Sequence, residues 1–290
     1  MPFSLRRISA VCVCLAGTLL EAAPFHSVII QTGSQANEVE RNVGALLAER
    51  ITKPTGIAVK QEVESGAPRK AAAGELVILL GMPEHNRAVA AEFDALRIPK
   101  LTWLEPGTEG FVLQTAPRAK GQGLTLVAAG VDQRGVLYAA GEILRRMNWS
   151  PTAVDFPETL HVRTAPAFEV RGTQFGQSGV AITKGKVRRW TEEDRRNAIL
   201  DFALAGLNTM EVSPSRTDAK TIELLRSFGL KTLVHYGPNV GSGPKEWQAT
   251  ESIGRGGYLC PSVPAAREAL LKKCEDTFRN SPPVDYVRFY

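Results

Sequence analysis

Three side chains at the ends of short apolar runs have the chemistry to hold a polar ligand. Glu211 lies near the end of the run Asn208–Val212, and His235 with Tyr236 closes Lys231–Tyr236. A carboxylate accepts hydrogen bonds from hydroxyls, and an imidazole donates one or orients an acid. An aromatic ring stacks on a flat apolar face. Glu211 and His235 each have a plainer reading: a solvated or ion-paired carboxylate and a satisfied polar histidine. Ser213, Asn239 and Trp247 occupy the loops that follow, Trp247 either stacking on a ligand or closing over the core. Asp285 opens the last apolar run and reads as structural.

Other chemistries lack their residues. His26, His85, His161 and His235 are far apart, and neither CxxC nor HExxH occurs, so a metal site is unsupported. Gly254-Arg-Gly-Gly and Gly237-Pro-Asn-Val-Gly-Ser-Gly lack the context of a phosphate-binding loop, so no cofactor is implied. A peptidase would need a nucleophile–base pair, and none is visible.

The elements that must carry these groups are strand–helix units. From residue 166 onward the strands are Val170–Phe175, Asn208–Val212, Lys231–Tyr236 and Val284–Tyr290, and the helices are Thr191–Leu207, Thr217–Phe228 and Pro264–Phe278. Thr191 is a good N-cap, with Glu192, Glu193 and Asp194 where the helix dipole favours anions. Strands separated by helices pair in parallel. Four such units make the first half of a (β/α)8 TIM barrel, whose sites gather at the C-terminal ends of the strands. A half barrel exposes a sheet edge and an apolar interior, so a scaffold of this shape would have to pair with another copy. By itself it would be poorly folded beyond residue 170.

Residues 24–165 read as a mixed α/β sandwich domain, with strands from Phe25 and helices at Asn37–Ile51, Asn86–Leu96 and Asp132–Met147. A Pro-punctuated connector joins the two domains. Ahead of them, Arg6 and Arg7 precede an apolar stretch, Ile8–Leu20, and Ala22-Ala23, the pattern of a cleaved signal peptide over 1–23. The stretch is too short to span a bilayer, so the expectation is a secreted or periplasmic protein with no stable membrane span. Cleavage removes Cys12 and Cys14 and leaves Cys260 and Cys274, as free thiols or as a bridge. The chain has 290 residues, 43% of them hydrophobic, and a net charge of +5. That is globular and mildly basic, with charges interspersed rather than massed as a nucleic-acid binder needs.

Three motifs in order resemble a known group of enzymes: Glu109-Gly-Phe-Val-Leu, then Asp132-Gln-Arg-Gly-Val-Leu-Tyr-Ala-Ala-Gly-Glu-Ile-Leu, then Ala165-Pro-Ala-Phe-Glu-Val-Arg-Gly. They are similar to the N-terminal α/β domain and barrel junction of exported α-glucuronidases and β-N-acetylhexosaminidases. The resemblance implies a glycoside hydrolase acting on polysaccharide or glycan, with catalytic carboxylates beyond residue 290 and the first domain as a companion. It also implies that Arg171 holds ring hydroxyls of the sugar, where the residue by itself reads equally as a junction arginine. Glu211, His235 and Tyr236 then become sugar-binding candidates. Gln174 and the basic loop with Lys184, Lys186, Arg188 and Arg189 would draw an acidic glycan, or simply form a solvated face. The alternative function is a non-catalytic carbohydrate-binding or scaffold protein.

Overall fold

The computed structural model describes residues 24–119, 121–173, 180–183, 186–212, 219–249 and 257–289. The proposed signal segment, Gln174, Lys184 and Ser213 lie outside the described residues.

The first unit contains β1 (Ser27–Thr32), α1 (Glu38–Thr55), β2 (Val59–Val63), β3 (Glu75–Gly81), α2 (Arg87–Ala95), β4 (Phe111–Thr115), β5 (Leu124–Gly130) and α3 (Gln133–Arg146). A small hairpin, β6 (Asn148–Ser150) and β7 (Ala153–Asp155), and strand β8 (His161–Thr164) complete it. The sheet order is β2-β1-β3-β5-β4-β8, parallel from β2 to β5 and antiparallel through β4 and β8. Period-2 alternation gives this sheet two apolar faces. Val28, Ile30, Leu76, Ile78, Leu80, Leu126 and Ala128 meet α1 and α3, while Ile29, Val77, Leu79 and Val127 meet α2.

The helices begin where capping residues stand. Asn37 accepts from Glu40 N while Glu40 reaches back to Asn37 N, a reciprocal capping box. Thr191 and Asp194 repeat that arrangement one unit later. Asp132 caps α3 by accepting from Gly135 N at 2.8 Å, and its other oxygen accepts from Glu109 N at 3.1 Å.

The second unit contains β9 (Gly172–Thr173), a hairpin of β10 (Val180–Thr183) and β11 (Lys186–Arg189), α4 (Glu192–Leu204), β12 (Thr209–Glu211), α5 (Ala219–Ser227), β13 (Lys231–Tyr236), α6 (Pro264–Arg279) and β14 (Tyr286–Phe289). The segment read as an open basic loop thus carries a hairpin. Strands β9, β12, β13 and β14 form one sheet in chain order, all parallel. Met210, Val234, Ile199, Leu200, Ile222 and Leu225 belong to one core, so α4 and α5 cover one face of this sheet. The other face carries Glu211, Leu233 and His235.

The two units share that core, which continues through Val136, Leu137, Ala140 and Ile143 of α3. Contact between α3 and α4 is close: a Cβ on Gly141 would lie 1.9 Å from Leu204 O, so only glycine fits. Arg145 Nη1 donates to Leu204 O at 2.8 Å. Ion pairs Arg196–Glu49 at 3.0 Å and Arg50–Asp201 at 2.9 Å flank the seam. The Arg196 hydrogen bond, with help from Lys53, holds the Glu49 carboxyl down at about 2 against the opposing effect of burial. Among the described residues no helix is long and apolar enough to cross a membrane.

Candidate functional site

The four expected site residues separate into three environments. Arg171 stands just before β9, at the strand-start end of the sheet. Its backbone carbonyl accepts from Asn208 N and Thr209 N, at 2.9 and 3.1 Å. Its guanidinium donates to Gly206 O at 2.7 Å, to the Tyr138 hydroxyl at 2.9 Å, to Phe168 O, and to Glu109, with which it forms an ion pair. These are the contacts of a junction arginine, the second of the two readings its residue type left open. The fork of donors is committed within the protein, at the start of β12, whereas Glu211 stands at its end.

Glu109 organises that junction and was not singled out from sequence as a functional residue. It is 4% exposed. Arg134 Nε donates to it at 2.6 Å, and Asn208 Nδ2 donates to both carboxylate oxygens at 3.1 Å. Arg134 also reaches Gly229 O at 3.0 Å, just ahead of β13. Burial alone would push the Glu109 carboxyl up. Hydrogen bonding from Arg171, the Arg134 charge and the Asn208 amide together hold it below the usual carboxylate range. Burial, with the Glu109 charge, pushes the Tyr138 hydroxyl up. One carboxylate in the first unit therefore ties the starts of β9, β12 and β13. The signal for this lay in the motifs: Glu109, Arg134, Tyr138, Gly141 and Arg171 all fall inside the three ordered runs.

Tyr236 lies on the wrong face to meet a ligand beside Glu211. Register pairs Glu211 with Leu233, so His235, two residues further on, shares the face of Glu211 while Val234 and Tyr236 point the other way. Tyr236 is 6% exposed. Its ring packs against Phe278 of α6 at 5.3 Å and edge-on against Phe289 at 6.3 Å. Burial, aided by the neighbouring Cys274 thiol, pushes its hydroxyl up to about 12. Sequence reasoning placed it by strand end alone; the alternation along β13 makes it a core aromatic.

Glu211 and His235 are brought together, on adjacent parallel strands, the same face and the C-terminal end. Glu211 Oε2 is buried and has no hydrogen-bond partner among the described residues. A buried carboxylate oxygen is costly to leave unpaired and calls for a donor. In the loop after β13, Asn239 O accepts from Leu259 N at 2.8 Å. Trp247 packs on Leu259, Ala266 and Leu270, closing over a small core there. Asp285 accepts from the Thr232 amide and hydroxyl at 2.8 and 3.0 Å, a structural use. Cys260 and Cys274 are free thiols. No three metal-ligating side chains converge among the described residues.

No family model matches the chain, and no curated protein matches it in sequence. Solved structures do share its fold. The structure of CpGH84B superposes with a TM-score of 0.50 at 14% identity, over 93% of this chain and 41% of that one. BtGH115A, a family GH115 4-O-methyl-alpha-glucuronidase with specificity for decorated arabinogalactans, superposes at 0.53 and 13% identity, over 87% and 34%. An N-acetyl-beta-hexosaminidase from Streptomyces plicatus superposes at 0.54 and 11% identity, over 92% and 56%. The mixed α/β architecture is thus one found in glycoside hydrolases. The chain spans between 34% and 56% of the length of these proteins.

Proposed function

We propose that this chain is the N-terminal portion of a secreted or periplasmic glycoside hydrolase of the α-glucuronidase or β-N-acetylhexosaminidase kind. The four-stranded parallel sheet is then the first half of a (β/α)8 barrel, with the α/β sandwich as its companion. The observation that carries the reading is the placement of Glu211 and His235 on one face, at the C-terminal ends of adjacent parallel strands, where barrel enzymes build their sites. The fold likeness supports it.

Within that site Glu211 accepts from ring hydroxyls and His235 donates to a hydroxyl or orients an acid. Glycosidases use a general acid and a second carboxylate, or a nucleophile provided by the substrate. Those acids are assigned to further β/α units beyond residue 290, and Glu211 is a binding group. Arg171 acts through the junction.

The test is to assay the full-length protein on aryl glucuronides and aryl N-acetylglucosaminides, and to titrate the corresponding sugars into wild type and Glu211→Gln. Turnover of one substrate class is expected, with sugar affinity falling about tenfold or more in the variant, as for loss of a charged hydrogen-bond acceptor. Binding without turnover of any glycoside favours the non-catalytic alternative. Absence of both overturns the reading.

A further inference from the structure

Glu211 follows Asn208 by three residues, and Asn208 is held by the first unit. Asn208 is fully buried, and its side chain and backbone are both engaged. Its Nδ2 donates to both oxygens of Glu109 at 3.1 Å and to Glu169 O at 2.6 Å. Its Oδ1 accepts from Arg171 N at 2.9 Å and from the Thr209 hydroxyl at 2.8 Å. Its backbone amide donates to Arg171 O at 2.9 Å, and its carbonyl accepts from Lys231 N at 2.8 Å. This one residue therefore ties the start of β12 to the starts of β9 and β13 and to a carboxylate of the first unit.

Strand β12 spans only Thr209–Glu211. From Asn208 to Glu211 the chain rises about 10 Å. Thr209 and Met210 leave no hinge between them, because they pair with Gly172 and Thr173 on one side and with Lys231 and Thr232 on the other. A strand this short carries a shift or tilt at its first residue through to its last. Glu211 thus takes its height and direction from Asn208. The neighbouring strand is set from the same carboxylate: Arg134 donates to Glu109 at 2.6 Å and to Gly229 O at 3.0 Å, just ahead of the strand that carries His235.

We propose that Glu109 is a positioning residue for the Glu211–His235 site, acting through Asn208 and Arg134, so that the first unit governs ligand binding without touching the ligand. This assignment rests on the carbohydrate-site reading above and adds to it how the site is held. Binding groups need placement to within about 0.5 Å, so a loosened Asn208 is felt as lost affinity. The competing account is that Met210 and Val212, both in the core, seat β12 by packing alone. Glu109 would then stabilise the fold and leave the site unmoved.

A double-mutant cycle separates the two accounts, because independent changes at distant sites add. Glucuronate and N-acetylglucosamine are titrated by calorimetry into wild type, Glu109→Gln, Glu211→Gln and the double variant, with melting curves to confirm folding. Glu109→Asp, alone and with Glu211→Gln, keeps the charge but draws the carboxylate back by one methylene, so it separates position from charge and serves where Glu109→Gln does not fold. Glu109→Gln is expected to weaken the bound sugar about threefold or more in wild type, but less than about 1.5-fold where Glu211 is already replaced. Glu109→Asp is expected to follow the same pattern. Equal weakening in both backgrounds, or none in either, overturns the positioning role while leaving the sugar site in place. Failure of both sugars to bind wild type overturns the site and the positioning role together.

Discussion

Glu109 is a charged side chain with almost no exposed surface, and its surroundings explain why it stays ionised. Two guanidinium groups and an amide converge on two oxygens, so each lone pair that burial strips of water finds a donor. Removing one partner of such a cluster leaves unpaired buried charge. Glu109→Ala is therefore expected to cost about 3–5 kcal/mol in a denaturant melt. Glu109→Gln keeps the shape and gives a pH signature. The folded-state pKa is depressed, so the stability it contributes is fully present above the ordinary carboxylate value of 4.5 and is lost as pH falls through the folded value. The stability gap between wild type and Glu109→Gln is expected to be widest above about pH 5 and to narrow at lower pH. A gap independent of pH would show that the carboxylate is not ionised in the fold.

At the scale of elements, the decisive contact is α3 against α4. The run that reads as one amphipathic helix does three tasks at once: Asp132 caps it, Arg134 and Tyr138 reach Glu109, and Gly141 lets the Leu204 carbonyl approach. Gly141→Ala is expected to force the two helices apart and cost about 1–3 kcal/mol, despite alanine's better helix propensity. A melting temperature equal to or above wild type would show that the seam yields easily. The ends of α3 and α4 also show what local rules reach. Asp132 and Thr191 set the starts at the expected residues, while α4 stops at Leu204, three residues short of the expected Leu207.

For the whole molecule, the expectation that the region beyond residue 170 is poorly folded meets a shared core. Helices α4 and α5 lie in the same core as the first unit, so β12 and β13 are held from their helix-covered face. The weak part is further along. On α6, Leu271 is exposed, and among the described residues Phe289 of β14 is 64% exposed. Hydrogen exchange is expected to show β12 and β13 protected together with β1, β3 and β5, and β14 with α6 opening first. Exchange of β12 as fast as β14 would mean that the junction does not stabilise the sheet.

The sequence by itself determined the alternation of strands and helices, the caps at Asn37, Asp132 and Thr191, and the identity of the short run Lys231–Tyr236 as a strand. These follow from periodicity and from donors within a few residues, which a linear reading contains. Glu211 and His235 were legible as neighbours because each ends a strand, and parallel order then puts them at one end. The face of each side chain was not legible, because it depends on register against the next strand: that decided Tyr236 for the core. The role of Arg171 depended on partners 33 and 62 residues away in the chain, Tyr138 and Glu109. Only packing of the two units brings those groups within hydrogen-bond distance, so the junction contacts of Arg171 belong to the tertiary structure alone.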